Sequence, residues 1–423
     1  MNSIIEGALQ RQSAAAAKAQ ADAAKPDLLL LVHRIPYPPN KGDKIRSYNL
    51  LKHLATKYRV HLATFVDDAD DWQHVPTVEA LCASSHFVKL DPTRGKLRSA
   101  KGLATGKSLS LEYYRDAEMK RWVARTMRER GIARVMTFCS VMAQYAQDFP
   151  AARRVIDFCD IDSDKWRQYA EKKKWPMSWV YRHEARSLLD YERKIAQDFD
   201  ASLFVSAPEA ELFRTLAPES SAKIGHFSNG VDTEYFSAAR AYDNPYAPGE
   251  QALVFTGAMD YWPNIDAVKW FAEHVLPRVR AAVPGARFYI VGSRPAPEVL
   301  ALATQSSDAA IVVTGTVPDV RPYLAHCVAA VAPLRIARGI QNKVLEAMAM
   351  GRPVVSSKQA FEGIEATPGR ELIVADAPDD YADSVIELLR NANPAMGQAA
   401  RVQVERRYSW SAHLSPIEAR FEC

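Results

Sequence analysis

The chain has 423 residues, of which 48% are hydrophobic and 25% charged, and a formal net charge of +4. That length asks for two cores rather than one, the composition is that of a globular protein, and the well-mixed charge argues against a dedicated nucleic-acid binder. Five scattered cysteines without a CxxC pair speak against a disulfide framework or a structural zinc site and fit a reducing, cytosolic compartment.

Residues 1–26 lack the apolar core of a signal peptide and read as a disordered or loosely helical tail outside the fold. No later run approaches the roughly 18 uninterrupted apolar residues of a membrane span. Residues 28–32 are an unbroken apolar run that predicts a buried parallel strand. A Pro-rich loop follows at 33–42, then an amphipathic helix at 43–57 with Ile45, Leu50, Leu51 and Leu54 on one side, then a strand at 60–65. This is a βαβ unit, and its first loop lies at the edge where open α/β sheets bind ligands. No GxGxxG surrounds Gly42, so a dinucleotide fingerprint is absent, and a rigid surface turn explains the loop as well as a pocket wall does. Further strands are expected at 86–90, 133–138, 154–158, 202–205 and 224–227, with a helix at 116–130.

Residues 229–250 are polar and turn-rich, as an interdomain connection is. The alternation then restarts, with strands at 252–256, 287–291, 310–313, 328–332, 353–356 and 372–374. Between them lie one long helix at 265–283 and another at 341–350; after 376 only helices follow. Repeated βα alternation predicts an α/β protein with two doubly wound, mainly parallel sheets. The expected division is an N-terminal Rossmann-like domain at 27–232, a linker at 233–250, a second such domain at 251–400, and closing helices at 401–423. The cleft between two such domains is the default ligand site.

In the second half, three loops follow expected strands: 257–264, 314–319 and 335–343. A doubly wound sheet brings all three to one edge. They carry Gly257, Asn264, Val317, Arg335, Gly339, Ile340, Gln341, Asn342 and Lys343. A glycine-containing loop running into a helix N-terminus, with a lysine in the first turn, suits a phosphate. Glu346, about one turn beyond Asn342, is placed to bond a ribose hydroxyl. An ordinary strand–helix–strand unit explains the stretch equally well when it is taken alone.

In the first half, Asp160-Ile161-Asp162 has a metal-binding spacing that is common by chance. Asp162 suits a place at a cleft edge orienting ligand hydroxyls, and helix capping by Asp162 or Ser163 is the simplest alternative. Residues 165–194 hold nine Lys or Arg and six Trp or Tyr, a mixture suited to an anionic membrane surface or to a solvated helix pair. The acids among them weaken a nucleic-acid reading. No Ser-His-Asp or Cys-His set is legible, and His33 reads best as a core or loop histidine.

Residues 339–357 resemble the signature of retaining GT-B glycosyltransferases that use nucleotide-sugar donors. Asn229 to Phe236 resembles the interdomain segment of that family, Gly257, Met259, Asp260, Pro263 and Asn264 its first C-domain loop, and Tyr408-Ser409-Trp410 the stretch before its returning helix. The segments HRIPYPPNKGDKIRSYNLLKHLA and DFCDIDSDKWRQYA are similar to a subgroup of exopolysaccharide-associated sugar transferases found beside PEP-CTERM/exosortase systems. The resemblance spans about 27–420. It implies the GT-B fold, with two Rossmann-like domains facing a cleft and a C-terminal helix crossing back to the N-domain. It also implies a nucleoside-diphosphate-sugar co-substrate, no essential metal or other cofactor, and a saccharide or lipid-linked acceptor. The setting would be cytoplasmic, at the inner face of the membrane. Carried over by position, Glu346 contacts the donor ribose and Gly42 the donor. The family's basic pair is missing from 261–264, so Arg335, Lys343 and the helix N-terminus would carry the diphosphate. Arg338 stands where the family has its sugar-contacting glutamate. The rival readings are a nucleotide-sugar 2-epimerase of the same architecture and, suggested by Arg338, a non-catalytic subunit of a polysaccharide assembly complex.

Overall fold

The computed structural model describes residues 24–39, 41–171, 173–305, 310–337 and 340–422. The tail expected at 1–26 therefore lies, up to residue 23, outside the described residues. The chain forms two compact units, Met1–Asn229 with His413–Cys423, and Gly230–Ala412.

The first unit is built on seven strands: β1 (Asp27–Val32), β2 (Arg59–Val66), β3 (Ser84–Lys89), β4 (Arg134–Phe138), β5 (Arg153–Cys159), β6 (Ala201–Phe204) and β7 (Ile224–His226). They run parallel in the order β3-β2-β1-β4-β5-β6-β7. Leu28 to Val32 are fully buried, as strands covered on both faces must be. The helices used below are α1 (Gly42–Lys57), α2 (Leu109–Tyr113), α3 (Asp162–Glu171) and α4 (Met177–Asp198). Arg46 on α1 is wholly buried, and a buried charge must be paired. Its Nε lies 2.7 Å from Asp157 Oδ2, its Nη1 donates to Asn229 Oδ1, and its guanidinium lies 3.6 Å from the Phe227 ring centroid.

The second unit holds β8 (Gln251–Thr256), β9 (Ala286–Val291), β10 (Ile311–Gly315), β11 (Ala329–Ala332), β12 (Val354–Ser356) and β13 (Ile373–Val374). These are parallel too, in the order β10-β9-β8-β11-β12-β13. Every strand expected from the sequence is present, each within two residues of its expected ends. Two helices matter here, α5 (Trp262–Trp270) and α6 (Asn342–Ala349). The single helix expected at 265–283 is interrupted by a π-helical turn at Phe271–Val275. The turn runs directly into Pro277, which has no N–H to continue the ladder. Two segments singled out in the sequence meet inside this unit: Val231 N donates to Tyr408 O at 2.7 Å, and a Cβ on Gly230 would stand 2.7 Å from Trp410 N. No described helix is long and apolar enough to cross a membrane.

Candidate functional site

In the second unit, the chain steps from β8 to β9 on one side and later returns with β11 on the other. That reversal leaves a crevice outside the carboxyl ends of the strands, where open α/β sheets take ligands. A cavity of about 560 Å³ lies there. Gly257, Asn264, Val317, Ile340, Gln341, Asn342, Lys343 and Glu346 all line it, so eight of the sequence-nominated residues are brought together. Arg338 and Gly339 lie outside the described residues.

Two groups on α6 dominate the chemistry. Lys343 Nζ donates to Asn264 Oδ1 at 2.6 Å and sits 4.1 Å from the Phe255 ring centroid. Asn264 is held in turn by its own amide, which donates to Ala258 O at 2.8 Å. Burial pushes the Lys343 ammonium down to about 7, against the pull of the Glu346 carboxylate. Burial likewise lifts Glu346 to about 7, with Lys343 opposing. The site thus disfavours both charges and leaves the ammonium electrostatically unfinished. The arrangement has the chemistry to take an anion at the mouth of α6, where the N–H groups of the first helical turn are free of intrahelical partners.

Backbone glycines make the room. A Cβ on Gly257 would fall 2.7 Å from Asn264 Nδ2 and 3.2 Å from Lys343 Nζ, and one on Gly292 would fall 1.6 Å from Gly257 O. Gly257→Ala is therefore expected to displace Asn264 from Lys343 and to weaken binding of a pyrophosphate probe in this cavity by about tenfold or more, since one charge-assisted hydrogen bond is at stake. Calorimetric titration against the unaltered protein measures it. Gly292 and Ser293 also line the cavity and were missed in the sequence. The available signal was a glycine directly following an expected strand.

Arg335 is placed differently from the other nominated residues of this unit. Its guanidinium is paired with Asp266 through both Nε and Nη2. It lines a separate cavity of about 400 Å³ beside Trp262 and Trp270.

Gly42 and Asp162 belong to the first unit, where they line a cavity of about 560 Å³ at the carboxyl ends of β1, β4 and β5. His33, Asp43, Tyr114, Lys165 and Trp166 share it. The His33 ring stacks on Phe138, with centroids 5.8 Å apart, and its Nε2 lies 3.3 Å from Asp43 Oδ2. Burial works to raise the Asp43 pKa, but the His33 bond and the Arg34 guanidinium outweigh it and hold the carboxyl well below its usual range. Lys165 Nζ lies 2.8 Å from Asp160 Oδ2 and 3.4 Å from Asp162 Oδ1, so the Asp-x-Asp pair holds an ammonium. Burial raises the pKa of Asp162, against Lys165 and His33. Among the described residues no group of three or more His, Cys, Asp or Glu is placed to share a metal ion.

Helix α3 starts at Asp162, and its start is gripped from behind. Ser163 N donates to Glu192 Oε1 at 3.3 Å, the Ser163 hydroxyl shares a hydrogen bond with Glu192 Oε2, and Ile161 N donates to Glu209 Oε1 at 2.9 Å. This distant carboxylate satisfies the helix start, so Ser163 is turned inward, and Asp162 lines the cavity. Glu192 had no sequence signal, because its partner is 29 residues away. Burial pushes Glu192 up to about 8 from an ordinary 4.5. The folded state then holds the extra proton between those pH values, and the stability this contributes is lost as pH rises through about 8. Glu192→Gln is expected to match the unaltered protein in melting temperature near pH 4.5 and to exceed it at pH 8. Thermal melts across that range provide the check.

Residues 250–391 match the family model described as Glycosyl transferases group 1. No curated protein matches the chain. Solved structures similar to it include Anabaena Alr3699/HepE in complex with UDP, with TM-score 0.56 at 14% identity, covering 94% of this chain and 99% of that one. A glycosyltransferase from Rickettsia africae gives TM-score 0.58 at 12% identity over 94% and 98% of the two chains. WaaG, a glycosyltransferase involved in lipopolysaccharide biosynthesis, gives 0.53 at 14% identity over 93% and 98%. At these identities the likeness speaks for the fold. The chain has the two-domain GT-B fold found in nucleotide-sugar-dependent glycosyltransferases, and most of its second unit matches the group 1 glycosyl transferase family.

Proposed function

We propose that the protein transfers a sugar from a nucleoside-diphosphate sugar to a saccharide or lipid-linked saccharide. The observation that carries this is the half-buried Lys343 ammonium at the opening of α6, lining a crevice beside Asn264 that disfavours its charge, with Glu346 one turn behind. The diphosphate would sit against Lys343 and the α6 N-terminus, the ribose against Glu346, and the base near Val317. The first-unit cavity, with Asp162, Lys165 and Trp166, offers carboxylates and an aromatic face to an acceptor sugar.

In the transfer, the bond from the anomeric carbon to the diphosphate oxygen breaks and the diphosphate keeps the electron pair. The acceptor hydroxyl oxygen bonds to that carbon on the same face, with retention, and passes its proton to the leaving phosphate. Lys343 stabilises the charge that develops there. Arg335 could add to this only by leaving Asp266. The subgroup resemblance of 33–55 and 157–170 supports exopolysaccharide biosynthesis in the cytoplasm as the setting.

The 2-epimerase alternative finds support in the His33–Asp43 pair, an acid/base set within one cavity. One assay separates the readings. The protein is incubated with UDP-, GDP- and dTDP-sugars, with and without oligosaccharide or lipid-linked acceptors, and products are read by mass and NMR. Transfer only in the presence of acceptor is expected. An epimer formed from donor alone would establish the alternative, and donor binding without turnover would favour an assembly role.

A further inference from the structure

We infer that the tip joining α3 to α4 is a docking surface for an anionic lipid bilayer. Large apolar side chains crowd there in water: Trp175 is 81% exposed, Trp179 52%, Tyr169 51% and Met177 43%. Scattered singly, such residues need no explanation; gathered on one hairpin, they form a patch.

The charge around the patch has one sign. Lys173, Lys174, Arg182 and Arg186 have no ion-pair partner among the described residues, whereas Glu171, the acid next to the tip, is taken up by Arg167 at 2.7 Å. A second segment adds to the basic rim. His183 Nε2 lies 3.2 Å from Lys107 O, which brings Lys107 alongside α4.

The base of the hairpin is tied to the rest of the unit. Glu184 on α4 accepts from Ser108 Oγ at 2.8 Å and from Ser110 N at 3.0 Å, and Glu192 on the same helix holds the start of α3. Trp166 and Tyr181 pack across the hairpin with ring centroids 5.1 Å apart. With its base held, the hairpin as a whole has less freedom to lose on docking.

Amphipathic Trp and Tyr rings settle at headgroup depth, Met177 reaches the acyl boundary, and Lys and Arg meet anionic headgroups. The residues sit at a helical tip rather than along a groove that could track a nucleic-acid backbone, which favours a bilayer. The inference stands on this surface and does not rest on sugar transfer.

The test is flotation of the full chain with vesicles of phosphatidylcholine alone and of phosphatidylcholine mixed equally with phosphatidylglycerol. Binding to the anionic vesicles only, weakening with added salt, is expected. Lys173→Glu with Lys174→Glu should lower partitioning by about thirtyfold or more, and Trp175→Ala with Trp179→Ala by about tenfold. Both double variants should melt within a few degrees of the unaltered protein, since the replaced side chains are exposed, which shows that they fold whether or not a nucleotide sugar binds. Failure to float, equal binding to both vesicle types, undiminished binding by both variants, or capture of single-stranded oligonucleotide in place of lipid would each overturn the inference.

Discussion

Lys343→Ala is expected to lower kcat/KM for the nucleotide sugar by about 10²–10³-fold, the cost typical of removing one preorganised group that stabilises a leaving oxyanion. The same variant should melt within a few degrees of the unaltered protein. Two opposing effects set that outcome. The 2.6 Å hydrogen bond to Asn264 is lost, worth about 1 kcal/mol net. Against this, the folded state no longer holds an ammonium whose burial brings its pKa down to about 7. An unpaired charge in a partly dry site commonly costs as much as the bond it makes. Glu346, already lifted to about 7, then loses the cation that opposed the lift and stays protonated at neutral pH. Arg335→Ala is the natural comparison. It breaks an exposed pair with Asp266 of the kind worth about 0–1 kcal/mol, and should change donor affinity far less. Steady-state kinetics and thermal melts on both variants check the contrast. Normal turnover in Lys343→Ala would sink the donor-site assignment.

Nucleotide-sugar affinity should fall as pH rises above about 7. The sign follows from the site. In the free protein Lys343 titrates near 7, so above that pH it is increasingly neutral. A diphosphate diester, whose charge does not change in this range, favours the protonated lysine and raises its pKa in the complex. Binding then takes up a proton between the two values, and the dissociation constant climbs by about tenfold per pH unit across that window. Below about 7 the lysine is already charged and the curve flattens. Arginine cannot deprotonate here, so Lys343→Arg should lose the lysine's share of that slope and keep only what Glu346, itself lifted to about 7, contributes. Isothermal titration in buffers of different ionisation enthalpy counts the protons directly. Equal slopes for the two proteins would show that Lys343 does not face the diphosphate.

The fold was largely legible, since its signals are local. The central strands are runs of apolar residues buried on both faces, as in β1 and β8, and each such run declares itself without reference to its partners. Pro277 was also in plain view, yet its effect, one π-helical turn, needs the geometry of the whole helix. Much of the second-unit crevice was legible for a related reason: Gly257 directly follows β8, Val317 comes just after β10, and the loop that leads into α6 and Lys343 leaves β11, and a parallel sheet sends every such loop to one edge.

What the chain's order alone decides, then, is which residues arrive at each sheet edge, because strand direction and alternation are set by nearest neighbours in sequence. Which of them face the cavity was decided only in three dimensions. Arg335 and Lys343 look equivalent as basic residues of one loop and helix. Tertiary packing brought Asp266, 69 positions away, against the first and left the second against Asn264 and Glu346. In the same way, nothing within 160–163 announces that Glu192 and Glu209 hold its backbone. A charge's role follows from its partners and its exposure to water, and both belong to the folded arrangement.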